Sequence, residues 1–197
     1  MRNKYSLSEF MRNCYSLFLT KLLYPQCRLV RRPIFMRGKA SFCGGKNLTL
    51  GRSCRFDLNG GKPTLFIGDD CQFGDYTHIV AHERVEIGQN CLLASKIFIS
   101  DTNHGVYDNT DETARPDIVP NARKLVTAPV KIGNNVWVGE NVVILSGVEI
   151  GDGCVIGANS VVTHSIEKNT IVAGVPAHCL KYWSETENRW VKVEKLK

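Results

Sequence analysis

From Ile132 the chain repeats every six residues: Ile132, Val138, Ile144, Ile150, Ile156 and Val162 are all β-branched aliphatics, and Ile132, Val138, Ile150 and Ile156 are each followed by glycine. A fixed period constrains architecture more than any other sequence feature. Six residues are too few for a helical repeat, and no heptad is present. Short strands that turn every few residues build a parallel β-helix, a stack in which each coil contacts its neighbours. The eighteen residues from Ile132 to Ile150 make one circuit of a three-sided prism.

Leu50, Ile67, Ile87, Ile132 and Ile150 are read as leads of successive coils, at spacings of 17, 20, 45 and 18. The 45 becomes about 18 once some 27 residues are looped out between His104 and Ala128. This excursion, residues 105–128, lacks the hexad and holds Asp108, Asp111, Glu112, Pro116, Asp117 and Pro120. A long loop inside a compact repeat is usually functional. Gly and Asn follow the leads (Gly51, Gly68, Gly88, Gly133, Gly151; Asn90, Asn134, Asn135, Asn141), and these types tolerate corner conformations best. The leads should fill the prism in columns, so truncating one to Ala should cost roughly 2–5 kcal/mol.

Eight cysteines would suit a disulfide framework, but their positions argue for packing. Cys54, Cys71, Cys91 and Cys154 each follow an aliphatic lead by four residues, in one hexad slot that wants a small inward side chain. No CxxC pair is present, which argues against zinc and thioredoxin-like chemistry. The apolar run after Tyr15 is broken by Lys21 with no small-residue cleavage site beyond it, and nothing reaches the length of a membrane span. A reducing cytoplasm is the expected compartment.

Residues 6–24 read as a helix. Ser6 and Glu9 form a capping-box pattern; Leu7, Phe10, Met11, Cys14, Leu17, Phe18 and Leu22 recur at helical spacing; Tyr24-Pro25 stops it. Two readings stand: a plug on the open end of the stack, hiding an edge that would otherwise pair with other chains, or an amphipathic membrane-surface anchor. Net charge is +6, and residues 1–46 hold ten Lys/Arg, Arg2, Lys4, Arg12 and Lys21 among them, against Glu9 alone. Such a stretch can meet phosphates, anionic glycans or a membrane. It lacks a nucleic-acid-binding motif, so no nucleic-acid partner is expected.

The hexads, read as [Ile/Val/Leu]-Gly-x-x-[small]-x, resemble the hexapeptide-repeat acyltransferases over about Asn47 to Lys181. Ile99-Ser-Asp-Thr-Asn-His104-Gly is similar to the catalytic segment of the maltose and galactoside O-acetyltransferases. Val130-Lys-Ile-Gly-Asn-Asn-Val-Trp137-Val-Gly is similar to their acetyl-coenzyme A wall, and Ala173-Gly-Val-Pro-Ala177 to the turn that ends their repeat. Arg31-Arg-Pro-Ile-Phe-Met-Arg-Gly-Lys39 looks more like bacterial O-antigen and exopolysaccharide O-acetyltransferases. The resemblance implies an all-β chain: a left-handed parallel β-helix with an N-terminal α-helix and one long excursion loop. Its handedness departs from the usual right-handed crossover and comes from the resemblance alone. The expected organisation is a helix and basic lead-in over 1–46, the β-helix over 47–181 and a tail over 182–197, in which Trp190–Lys197 alternates apolar and basic residues like a short covering strand.

Acetyl transfer from a thioester to an alcohol needs a base for the hydroxyl proton and donors for the tetrahedral oxyanion. Imidazole, with an ordinary pKa of about 6.5, suits the first task. His104 stands where the repeat stops and the excursion starts, and the family segment implies that it is the base. A backbone carbonyl or Asp101 would set its tautomer. Trp137 occupies an outward hexad position, where it could carry the pantetheine arm of acetyl-CoA. The resemblance adds Gly139, Ala158 and Thr163 to that groove; Lys181, after the closing turn, would meet a phosphate as a point charge. His164 stands where the family often has Lys, which alters one phosphate contact. Asp75, Tyr76, Asp101 and Asn103 are the candidate acceptor contacts, Tyr76 being an inexact match. The family is trimeric with active sites between subunits.

The expected function is acetyl-CoA-dependent O-acetylation of a sugar or glycan precursor in lipopolysaccharide or exopolysaccharide synthesis. N-acetylation of an amino sugar is the alternative; related enzymes often add a nucleotide-binding domain, and no G-x-G-x-x-G follows a strand here. A γ carbonic anhydrase-like metal site shares the fold but needs two histidines five residues apart. Here Asn109 stands five residues after His104, and no metal is expected.

Overall fold

The computed structural model describes residues 5–107 and 114–193. Expectations placed on Arg2, Lys4, Asp108, Asn109, Asp111, Glu112 and Leu196 fall outside the described residues. Hexads dominate the rest, and the chain winds into a parallel β-helix of about seven turns.

The prism has three faces. On the first, Leu29–Val30, Thr49–Leu50, Gln72–Phe73, Leu92–Leu93, Trp137–Val138, Val155–Ile156 and Thr170–Gly174 stack in parallel. Six strands from Ile34–Arg37 to Val161–Val162 form the second face, and five from Phe42–Gly44 to Glu149–Ile150 form the third. The period-two alternation of a strand sends one side chain inward per short segment. Val30, Leu50, Phe73, Leu93, Val138 and Ile156 therefore form one buried column; Ile79, Ile99, Ile144 and Val162 form a second; Ile67, Ile87, Ile132 and Ile150 form a third.

Three expectations shift. The stack begins at Leu29, inside the stretch read as a lead-in, because Leu29 and Val30 pair with Thr49 and Leu50. Leu50 lies inside the core but on the first face, whereas Ile67, Ile87, Ile132 and Ile150 share the third. The segment after Leu58, Asn59-Gly-Gly-Lys-Pro63, inserts extra residues at a corner, so the spacing from Leu50 to Ile67 covers two faces and mimics a full circuit. Likewise Cys71, Cys91 and Cys154 precede strands of the first face, while Cys54 opens a strand of the second. All four are buried free thiols. Burial pushes Cys54 up to about 11, so it is a packing residue rather than a nucleophile.

Corners are stapled by side chains. Asp75 Oδ1 accepts the Arg52 N–H at 2.7 Å, Ser95 Oγ accepts the Asp75 N–H at 3.1 Å, and Glu140 Oε2 accepts the Ser95 N–H at 3.1 Å. At the corner entering the first face, Asp69 accepts from Lys46 N, Asn134 from Gln89 N and Asp152 from Asn134 N. Residues at these corners adopt left-handed φ, and Asn supplies Asn47, Asn90, Asn135, Asn141, Asn159 and Asn169 because its short amide tolerates that region.

Helix α1, Leu7–Leu23, starts with the expected capping box of Ser6 and Glu9. It closes the free edge of the first face with its polar side. Thr20 Oγ1 accepts the Val30 N–H at 2.8 Å, Ser16 Oγ accepts the Arg32 N–H at 3.2 Å, and Lys21 Nζ donates to the Cys27 carbonyl at 3.1 Å. An edge strand presents unpaired backbone groups, which hydroxyls satisfy and leucines do not. At the other end Ala177–Ser184 folds back antiparallel on Thr170–Gly174, and Arg189–Lys192 covers it in turn. Trp183 and Trp190 meet edge to face, with centroids 5.5 Å apart.

Candidate active site

His104 is held by a hairpin. Thr102–His104 pairs antiparallel with Leu125–Thr127, placing His104 opposite Leu125. The excursion is thus an ordered device at its base. Gly105 N–H donates to the Lys124 carbonyl at 2.8 Å, and Ala128 N–H to the Asp101 carbonyl at 2.8 Å. Gly105 has φ +97°, and a Cβ there would lie 2.9 Å from the Ala114 Cβ, so only glycine fits directly behind the histidine. Tyr107 Oη donates to the His104 carbonyl at 2.6 Å; Arg123 donates to that phenol at 3.0 Å and to the Ile118 carbonyl at 3.2 Å. The His104 imidazole is exposed and accepts or donates no hydrogen bond among the described residues.

Asp101 is fully buried. Its carboxylate accepts the backbone N–H groups of His82, Glu83 and Arg84 at 3.0, 2.7 and 2.9 Å and the Thr102 hydroxyl at 2.7 Å. This corrects the expectation of an acceptor contact or a tautomer-setting partner: its lone pairs are spent on the preceding coil. Asp101 instead positions the root of the hairpin. Asp75 is likewise committed in part, because its Oδ1 staples a corner. Asn103 is exposed, and its Oδ1 accepts the His104 N–H at 3.0 Å. Tyr76 is exposed with φ 60° at a corner where other coils carry Ser53, Lys96, Asn141 and Asn159.

Trp137 points outward on the first face, 53% exposed, in register with Leu92 below and Val155 above. Ile171 continues this apolar strip, and Lys181 pairs with Ile171 on the next strand. At about 4.8 Å per strand, Lys181 lies some 14 Å from Trp137 along the strip. Gly139 and Ala158 stack at the adjoining corner, where a Cβ on Gly139 would meet the Ala158 nitrogen at 2.7 Å. Thr163 follows Val161–Val162 at the far end of the second face, and its Oγ1 lies 2.8 Å from His164 Nδ1.

Apart from Lys181, which belongs to the first-face sheet, the predicted site residues therefore fall on the two edges of the second face. Trp137, Gly139, Ala158, Asp75 and Tyr76 border the corner between the first and second faces; Asp101, Asn103, His104 and Thr163 border the corner between the second and third. The groove of about 450 Å³ lined by Lys131, Glu149 and Asp152 on the third face holds none of them. Among the described residues no three His, Cys, Asp or Glu side chains converge to hold a metal ion. Sequence reasoning did not find Gly105, Tyr107 or Arg123. Gly105 ends the segment that carries the resemblance, which was a signal for it; Tyr107 and Arg123 lie in a stretch without repeat and had none.

The chain belongs to the hexapeptide-repeat transferases and is an acetyltransferase: residues 129–164 match the bacterial transferase hexapeptide family (six repeats), and its relatives carry that activity in their names. It is 42% identical, over 98% of its own length and 97% of the relative's, to WbbJ of Escherichia coli (strain K12), which bears the name of a lipopolysaccharide biosynthesis O-acetyl transferase. It is 34% identical to the galactoside O-acetyltransferase of the same organism, over 76% of this chain and 61% of that protein. A solved hexapeptide-repeat acetyltransferase from Vibrio cholerae, complexed with acetyl coenzyme A, superposes with a TM-score of 0.61 at 26% identity over 75% of each chain.

Proposed function

We propose that this protein transfers acetyl from acetyl-CoA to a hydroxyl of a sugar or glycan precursor in lipopolysaccharide synthesis, with His104 as general base. One observation carries the reading: a hydrogen-bonded hairpin presents an exposed imidazole whose ring nitrogens make no hydrogen bond among the described residues. His104 removes the acceptor hydroxyl proton as that oxygen attacks the thioester carbonyl. The tetrahedral oxyanion collapses, the C–S bond breaks, and the imidazolium returns its proton to the leaving thiolate, giving the acetyl ester and the free coenzyme thiol. Backbone N–H groups near the corner of Gly139 and Ala158 stabilise the oxyanion, a contribution of roughly 2.7–4 kcal/mol per donor. Trp137 and the strip above it carry the pantetheine arm, with Lys181 toward the phosphates. Tyr76 and Asn103 are the acceptor contacts.

The working unit in this proposal is a homotrimer with the site between subunits. Its support is the split across two edges: a head-to-tail contact sets the Trp137 edge of one prism against the His104 edge of the next, and such heterologous contacts close into rings. The enzyme acts in the cytoplasm, with residues 1–46 in peripheral contact with the membrane. Two measurements test the whole. His104→Ala should lower coenzyme thiol release in the presence of glycan acceptors by orders of magnitude while leaving acetyl-CoA binding nearly intact; near-normal turnover removes the base. Co-assembly of His104→Ala with Trp137→Ala subunits should restore part of the activity that each lacks alone, and a failure to do so with mixed oligomers demonstrated removes the shared site.

A further inference from the structure

Helix α1 is amphipathic in the opposite sense from a helix that packs on its own domain. At about 100° per residue, Ser16 and Thr20 mark the side facing the first coil. Leu7, Met11, Phe18 and Leu22 fall on the opposite side and are 79, 60, 70 and 67% exposed. A contiguous apolar face of this kind marks an interaction site. Its surroundings are cationic: Arg12, Lys21, Arg28, Arg37, Lys39 and Lys46 are exposed on α1 and the first coil, and Glu9 is the one acid between residues 5 and 46. A groove of about 530 Å³ between α1 and the coil is lined by Phe10, Cys14, Leu17 and Leu29 together with Arg28 and Arg31. It offers an apolar floor beside two guanidinium groups, the chemistry of a lipid chain next to its phosphate. None of the described helices is long and apolar enough to cross a membrane.

We propose that α1 lies in the surface of an anionic bilayer, with Leu7, Met11, Phe18 and Leu22 among the acyl chains and the flanking cations at the headgroup phosphates. Charge complementarity selects this occupant over a second copy of the chain, whose equally basic end would repel it. Long basic side chains at the border of an apolar face extend their heads to the headgroup level, as Arg12 is placed to do, whereas the Lys21 ammonium is held by the Cys27 carbonyl. The proposal rests on the reading that residues 1–46 meet the membrane, and adds insertion of a specific face.

The test is co-sedimentation of the full chain with phosphatidylcholine vesicles and with vesicles containing phosphatidylglycerol, at low and physiological salt. Binding should require phosphatidylglycerol and persist in part at physiological salt. Phe18→Ser with Leu22→Ser should weaken it at least tenfold, with unchanged melting temperature and unchanged acetyl transfer to a soluble acceptor. Arg12→Gln with Lys46→Gln should weaken it mainly at low salt. If the serine variant binds like the parent while the glutamine variant does not, insertion is overturned and an electrostatic contact survives. If the parent binds no vesicle, both readings fall. If the serine substitutions instead lower the particle mass in light scattering without vesicles, the face covers another subunit and the proposal is overturned.

Discussion

The Tyr107 phenol donates to the main-chain carbonyl of His104 at 2.6 Å, so the residue that carries the imidazole is clamped by a side chain three positions further along the chain. Arg123 holds that phenol in turn, through a hydrogen bond at 3.0 Å and a guanidinium placed 5.9 Å from the ring centre. Tyr107→Phe removes the clamp and little else. One neutral hydrogen bond is worth about 1 kcal/mol, so kcat should fall about fivefold if alignment of His104 is what the bond secures. Steady-state kinetics at saturating acetyl-CoA would show this, with KM for acetyl-CoA unchanged.

Asp101→Asn should cost stability as well as rate. An amide cannot accept from three backbone N–H groups and a hydroxyl as the carboxylate does. Its NH₂ would face donors, leaving buried groups unpaired at about 1–3 kcal/mol each. A chain of this size should lose roughly 5–10 °C in thermal denaturation. Asp101→Glu should not rescue it, because at this fully buried position an added methylene carries the carboxylate away from the donors it serves.

Gly105→Ala probes the hinge behind His104. The new Cβ would meet Ala114 at 2.9 Å, in a backbone region with φ +97°. The expected result is a tenfold or greater loss of kcat with a melting temperature within a few degrees of the parent, because the hairpin shifts while the coils do not.

Acid should unfold the protein partly through Asp57. Burial pushes this carboxyl upward, but hydrogen bonds from His78 and Arg55 outweigh it and hold it below the usual 3.8. A carboxyl lowered in the folded state contributes stability above its unfolded pKa and loses it as pH falls through the folded value. Denaturant midpoints should therefore be flat in Asp57's contribution from pH 7 to about 5 and decline below about 4. Asp57→Asn should flatten that decline.

Thiol labelling of the native protein should modify Cys14, Cys43 and Cys179, which are exposed, and spare Cys27, Cys54, Cys71, Cys91 and Cys154, which are buried. Mass spectrometry after a brief reaction would count three adducts, and eight after denaturation. Early labelling of Cys71 or Cys91 would contradict the closed stack.

The hexads made the coils legible because every inward position is under the same packing demand. Register was harder. Leu50 obeys the same rule on the first face that Ile67 obeys on the third, and the insertion after Leu58 gave their spacing the length of a circuit. Asp101 was read as chemistry because its partners, His82 to Arg84, are backbone groups of an earlier coil, which composition does not announce. The period of α1 was readable, yet which side met the protein was not. That depended on the hydrogen-bonding needs of Val30 and Arg32 at an exposed edge.

The corner staples run one way: Glu140 serves Ser95, Ser95 serves Asp75, and Asp75 serves Arg52, each later circuit finishing the one before it. A column assembled by such a rule has no preferred height. Whole circuits can be duplicated or deleted between the helical floor and the antiparallel lid, provided each new rung brings its own acceptor. Length in this architecture is thus open to evolution and to engineering without redesign of the histidine-bearing arm.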